Sequence, residues 1–147
     1  MGLRKNFATD RALENDGVEI DVDINEHNNL PIKIRVARMS KSNKRYAKRL
    51  EEATRPHQSA IANETLDQEL GSKILREVFV DSILLGWSNL PKSELTGDPK
   101  ETADLPFNRE NALKLFEELP DVYDDWEARA KKAANFREAE RTSNAKN

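Results

Sequence analysis

Hydrophobic and polar residues alternate strictly in "GVEIDVDI", residues 17–24. Val18, Ile20, Val22 and Ile24 fall on one face, and Glu19, Asp21 and Asp23 on the other. A period of two with β-branched residues predicts a half-buried strand. The same pattern returns in "IKIRVAR", residues 32–38, with Ile32, Ile34 and Val36 inward and Lys33 and Arg35 outward. The Asn-rich "NEHNNLP" between them, closed by Pro31, has turn composition. The two runs predict an antiparallel hairpin whose acidic outer face lies opposite a basic one, an arrangement that helps select the pairing.

A hairpin cannot bury its own apolar face, so the pattern must next supply helices. From Ser42 to Thr54, Tyr46, Leu50 and Ala53 recur at helical spacing, and Pro56 ends that helix or starts a new turn. From Glu64 to Leu85 a stripe of Leu66, Leu70, Ile74 and Val78 is widened by Leu75, Phe79, Ile83 and Leu85. It becomes apolar nearly all round, which predicts a helix whose far end passes through the middle of the domain. Gly86 then suits a left-handed helix stop, with Trp87 folding back onto the last turn as a hydrophobic lock.

Residues 88–106 read as a long loop with Pro91, Gly97, Pro99 and Pro106, long enough to be either mobile or functional. Asn108 is a good cap for a helix with Leu113, Leu115 and Phe116 inward. Pro120 fits the first turn of the next helix, with Val122, Trp126 and Ala130 as its apolar face. There, acids precede bases, which suits the helix dipole, and Asp125–Arg129 and Glu127–Lys131 have the favourable spacing for ion pairs. The sum is an α+β fold, mainly α-helical: an N-terminal β-hairpin covered by about four helices, with polar tails at both ends. The expected divisions are a loose polar arm over 1–16, a single α+β domain over 17–136, and a flexible C-terminal tail over 137–147, where no apolar pattern remains.

Composition narrows the chemistry. Of 147 residues, 35% are charged and 37% hydrophobic, which suffices for one modest core. There is no cysteine, so neither a disulfide framework nor a thiolate metal site is available. No signal peptide or membrane span is expected, since the longest apolar run is short and is broken by Asp81. His27 and His57 are too far apart for a zinc motif and read as solvated side chains. Asp121, Asp124 and Asp125 read as first-turn acids favoured by the dipole rather than metal ligands. No phosphate loop, nucleophile elbow or paired-acid motif occurs, so no cofactor and no enzymatic activity are expected. The segment "KSNKRYAKR", residues 41–49, groups five basic residues around a tyrosine. It reads either as a nucleic-acid patch or as a solvated helix face neutralised by Glu51 and Glu52. The net charge of -3 favours the second.

The order of segments resembles the tail assembly chaperone family of long-tailed, siphovirus-type bacteriophages. "LRKNFATD" is followed by "GVEIDV", "IKIRVARM", "NKRYAKRLEEATRPHQ" and "LREVFVDSILLGW", then a polar loop and "PFNRENALKLFEELPDVYDDWEARAKKAANFRE". The resemblance spans nearly the whole chain. Its most specific parts are the Gly-Trp pair at 86–87, the "FNREN" helix start, the "LPDV" break and the late "NFR". The chain departs from the family pattern in the longer, proline-rich "SNLPKSELTGDPKETADLP".

The resemblance implies a protein that binds the tape measure protein, keeps it soluble and promotes tail-tube assembly in the host bacterial cytoplasm without entering the mature virion. It also implies contact with the tail tube protein through a longer form made by ribosomal frameshifting. Lys146-Asn147 is a dipeptide that a slippery A-AAA-AAC message can encode. Expected partners are therefore proteins, with self-association possible and neither membrane nor nucleic acid involved. The candidate partner-binding or core-edge residues are Phe79, Ile83, Trp87, Phe107, Phe116 and Trp126. The alternative is a small regulatory or nucleic-acid-associated module built on the basic helix 41–49.

Overall fold

The computed structural model describes residues 2–8 and 11–136. The expected tail at 137–147, with its Lys146-Asn147 pair, lies outside the described residues.

Strands β1 (Val18–Ile24) and β2 (Pro31–Val36) form the antiparallel hairpin, with Glu19 opposite Arg35 and Asp21 opposite Lys33. Both cross-strand pairs are ionic, at 3.5 Å each. Ile32, Ile34 and Val36 are buried as the alternation requires. The facing residues Val18, Ile20 and Val22 are half-buried, and a register shift between Asp21 and Asp23 leaves Ile24 exposed.

The sheet has a third strand that the sequence reading assigned to a helix end. Strand β3 (Leu84–Ser88) pairs antiparallel with β2, placing Trp87 opposite Ile34 and Gly86 opposite Arg35. Gly86 is therefore not a left-handed helix stop, and Trp87 is not a lock on the helix's last turn. The helix ends earlier, at Ser82, and the chain passes at once into the strand. A short apolar run such as "ILLGW" has no periodicity that separates a buried helix from a buried strand. The open edge of β2 decides for the strand, because its backbone groups need partners. One glycine is required nearby. Gly17 has φ +88°, and a Cβ there would stand 2.7 Å from Leu85 Cδ1 and 2.9 Å from Arg35 Cγ.

Among the described residues, eight α-helices accompany this sheet. The expected N-terminal arm divides in two. Helix α1 (Leu3–Phe7) has no buried residue, whereas α2 (Arg11–Asp16) docks on the domain. Glu14 is buried and bonds Arg38 at 2.7 Å, and Leu13 packs against the core. Helix α3 (Lys44–Thr54) is capped by Asn43, whose side chain accepts from the Tyr46 amide at 3.2 Å. A 3-10 turn (Arg55–His57) and α4 (Gln58–Ala62) follow. Helix α5 (Gln68–Ser82) runs beneath the sheet with Ile74, Val78, Phe79 and Val80 buried. Asp67 caps it, so it begins later than the expected Glu64, which itself takes a φ of 57°.

The segment 88–106 is not structureless. It contains α6 (Ser93–Thr96), closed by Gly97 at φ 77°, and a β-bridge between Pro91 and Asp104. Leu90 and Leu105 are buried at its two ends and share a backbone hydrogen bond of 2.7 Å. Helices α7 (Arg109–Glu118) and α8 (Pro120–Lys131) follow as the caps predicted, with Asn108 accepting from the Asn111 amide at 2.8 Å. A final 3-10 turn (Ala133–Phe136) buries Phe136. The architecture is α+β and mainly helical, with one continuous core between the sheet and α5, α7 and α8.

Candidate partner-binding site

The aromatic residues of α5, β3, α7 and α8 form one unbroken series. Tyr123 meets Phe79 at 5.4 Å and Phe116 at 5.3 Å between ring centroids. Phe116 meets Trp126 at 5.6 Å, Trp126 meets Trp87 at 6.4 Å, and Trp87 meets Phe107 at 4.8 Å. Every pair is edge-on, the arrangement that sets the positive edge of one ring against the negative face of the next.

The six candidate residues separate along this series. Phe79, Ile83 and Phe116 are fully buried, and Trp126 nearly so, which makes them core. Trp87 is half-buried, and its indole N–H donates to the Leu105 carbonyl at 2.7 Å, pinning the far end of the loop to the sheet. Phe107 is the most exposed of the six, at 37%.

At the buried end of the series the phenol hydroxyl has a partner. The Tyr123 hydroxyl donates to Glu127 at 2.6 Å. Burial raises its pKa far above the usual phenol value, reinforced by the Glu127 hydrogen bond. Asp81 of α5 ties three helices together. Arg49 of α3 approaches its carboxylate at 3.0 Å and Arg109 of α7 at 2.8 Å, and Arg45 donates to its carbonyl at 3.1 Å. Burial opposes the ionisation of Asp81, but hydrogen bonds from Arg109 and Arg49 outweigh it and hold the carboxyl below its ordinary range. Two of the five cations in the 41–49 segment are thus engaged within the fold.

Trp126 also faces a groove that the sequence reading missed. The groove lies between β1, the 88–106 segment, α7 and α8, and has a volume of about 220 Å³. Its floor is Ile32, Leu90, Leu115 and Trp126, and its sides are Val22, Leu119 and Val122. Asp23, Glu94, Asp121 and Asp125 supply its polar lining, and none of the lining residues is basic. Asp125 is paired with Arg129 at 2.8 Å, whereas no ion pair engages Asp23, Glu94 or Asp121 among the described residues. A signal for this groove exists in the sequence. Four of the six prolines follow a leucine, at Leu30, Leu90, Leu105 and Leu119. A residue before proline is held extended, so these leucines sit at the ends of elements and off their periodic faces; Leu90 and Leu105 turn inward, while Leu30 and Leu119 stay partly in solvent. Two of them line the groove and a third is the buried partner of Trp87.

The groove is flanked by a polar clasp. Asn25 is buried at 1% exposure, and its amide nitrogen reaches the Asn89 carbonyl at 3.0 Å. Asn89 in turn donates to the Leu30 and Pro31 carbonyls at 3.1 and 3.0 Å. The turn at 25–30 is thereby fixed to the end of β3. His27 contacts Ser93 at 2.8 Å across the same junction. No grouping of three or more potential metal-ligating side chains occurs among the described residues.

A family model described as YdaY prophage protein matches residues 41–147. The chain belongs to that family. It is a phage-derived protein, and the matched region takes in α3 and everything after it, including the Asp81 junction, the aromatic series and the α7–α8 wall of the groove. The N-terminal hairpin, which supplies Val22 and Ile32, lies before it. No curated protein and no solved structure gives a significant match. No described helix is long and apolar enough to cross a membrane.

Proposed function

We propose that this phage protein is a tail assembly chaperone: it binds the tape measure protein, keeps it soluble and promotes assembly of the tail tube around it. In this reading it acts as a binding protein, not an enzyme, in the host bacterial cytoplasm, and leaves before the virion matures. A longer, frameshifted form would engage the tail tube protein.

The observation that carries the reading is the groove and the apolar residues that reach solvent around it. Leu119 is 36% exposed on its side, and Ile24, the last residue of β1, and Leu30, just before β2, are 47% and 57% exposed. A chain with a mean hydropathy of -0.83 has little apolar material to spare, yet some of it is held open by an ordered framework. Family membership in a prophage group and the order of sequence segments point the same way. The groove's acidic lining repels a phosphate backbone, which weighs against the nucleic-acid alternative.

Co-expression tests the proposal. The phage's tape measure protein should partition to the soluble fraction in the presence of this chain and to the pellet in its absence. Equal precipitation with and without the chain overturns the reading. Mass spectrometry of purified virions should find the tape measure protein and not this chain.

A further inference from the structure

We infer that the groove between β1, α7 and α8 receives the apolar face of a basic amphipathic helix, with the partner's lysines and arginines meeting Asp23, Glu94 and Asp121 at the rim. Calling that helix a segment of the tape measure protein rests on the chaperone reading; the groove's preference for its chemistry does not.

The first argument is size and lining. A volume of about 220 Å³ matches roughly seven waters' worth of liquid, room for one or two large side chains. Its floor and sides are apolar, so water held there is poorly bonded and its release favours an apolar occupant. The second argument is charge. The rim carboxylates come from three separate elements, β1, α6 and α8, so they surround the opening rather than lie along one helix face. Among the described residues no cation pairs with Asp23, Glu94 or Asp121. Like charges gathered around a low-dielectric hollow build a negative potential that a cationic partner relieves, speeding its approach and setting its orientation.

The third argument concerns backbone. An extended peptide would have to add to the free edge of β1. That edge is obstructed where the groove begins. The Ile24 amide is taken by Asp23 at 2.8 Å, the Asp21 carbonyl accepts from Arg129 at 3.2 Å, and the register is interrupted between Asp21 and Asp23. The occupant is therefore read by its side chains, which is the helix-in-groove mode with anchors three and four residues apart.

The test uses the full chain and a tryptophan-free helical peptide carrying a leucine stripe and a lysine face, with a second peptide in which every lysine is glutamate. Fluorescence anisotropy should show binding of the lysine peptide and none of the glutamate peptide. The triple variant Asp23→Asn, Glu94→Gln, Asp121→Asn should bind the lysine peptide roughly tenfold more weakly, the combined loss of three rim charge contacts. A control variant with the same charge change on exposed positions that do not line the groove, Glu52→Gln, Glu69→Gln, Glu110→Gln, should lose less than about twofold, because its charges are screened by solvent. Both triple variants should melt like the wild type, since they replace exposed or half-exposed groups by isosteres. Equal losses in the two variants, equal binding of the two peptides, or no binding at all overturns the inference. The two proposals fail separately. If the tape measure protein precipitates regardless while the peptide preference holds, the chaperone reading falls and the groove's specificity stands. If the tape measure protein is kept soluble equally by the rim variant and no peptide preference appears, the groove inference falls alone.

Discussion

The two ends of the aromatic series treat the same residue types in opposite ways. At the closed end, Phe79, Phe116 and Tyr123 are buried, the Tyr123 hydroxyl is bonded to Glu127, and Asp81, on the same helix as Phe79, holds two guanidinium groups. At the other end Phe107 is partly in solvent, and beside Trp126 Leu119 is partly exposed and Asp23, Glu94 and Asp121 line an apolar groove, with no ion pair to any of the three among the described residues. Apolar area and carboxylate charge stabilise the fold at the first end. At the second they are left unspent, and that residue of unmatched chemistry is what a partner can use. Trp126, touching Phe116 on one side and lining the groove on the other, joins the two.

This contrast is broken most directly at Phe116, which is completely buried between Phe79, Tyr123 and Trp126. Phe116→Ala should cost about 3–5 kcal/mol, since the surrounding rings cannot collapse into the space. Chemical denaturation measures this, and a loss under about 1 kcal/mol would show that the closed end is loosely packed. Trp87→Ala should cost less, about 2–3 kcal/mol, because the side chain is only half-buried, although the Leu105 carbonyl also loses its donor. A Trp87→Phe variant separates the two contributions, since it keeps most of the ring packing and removes only the hydrogen bond.

Asp81→Asn should cost about 1–2 kcal/mol, as Arg49 and Arg109 lose a charged acceptor. Its pH dependence has a definite sign. The folded-state pKa lies below the ordinary value, so the carboxylate contributes stability above the usual carboxylate range and loses that contribution as pH falls through the folded value. Wild-type melting temperature should therefore drop in acid more steeply than that of Asp81→Asn, and parallel curves would exclude a role for the junction. At the open end, Phe107→Ser and the rim triple variant should each change stability by less than about 0.5 kcal/mol. Their effect should appear instead in partner solubilisation. An open end whose variants unfold the protein, or a closed end whose variants abolish binding while melting normally, would erase the distinction.

The hairpin, its charge pairing, the cap at Asn108 and the break at Pro120 were legible because each depends on residues close in sequence. Alternation at 17–24 and 32–38 names both the strand and its buried face. The core face of α8 was read as Val122, Trp126 and Ala130, and Tyr123, also buried, escaped notice because its hydroxyl finds a partner only in the folded helix, at Glu127.

By itself, then, the sequence determined the hairpin, the principal helices and the absence of cysteine chemistry, all through local periodicity, capping and composition. Only the tertiary structure decided that "LLGWS" is a strand, because the choice lies with the open edge of β2 rather than with any feature of those five residues. Only the tertiary structure brought Val22, Leu90, Leu115 and Trp126 around one hollow and Asp23, Glu94 and Asp121 to its rim. These residues come from three separate stretches of the chain, 22–23, 90–94 and 115–126, and share no period. Their meeting is set by the packing of the sheet against α7 and α8, and by the Asn25–Asn89 clasp that holds the hairpin turn to the end of β3.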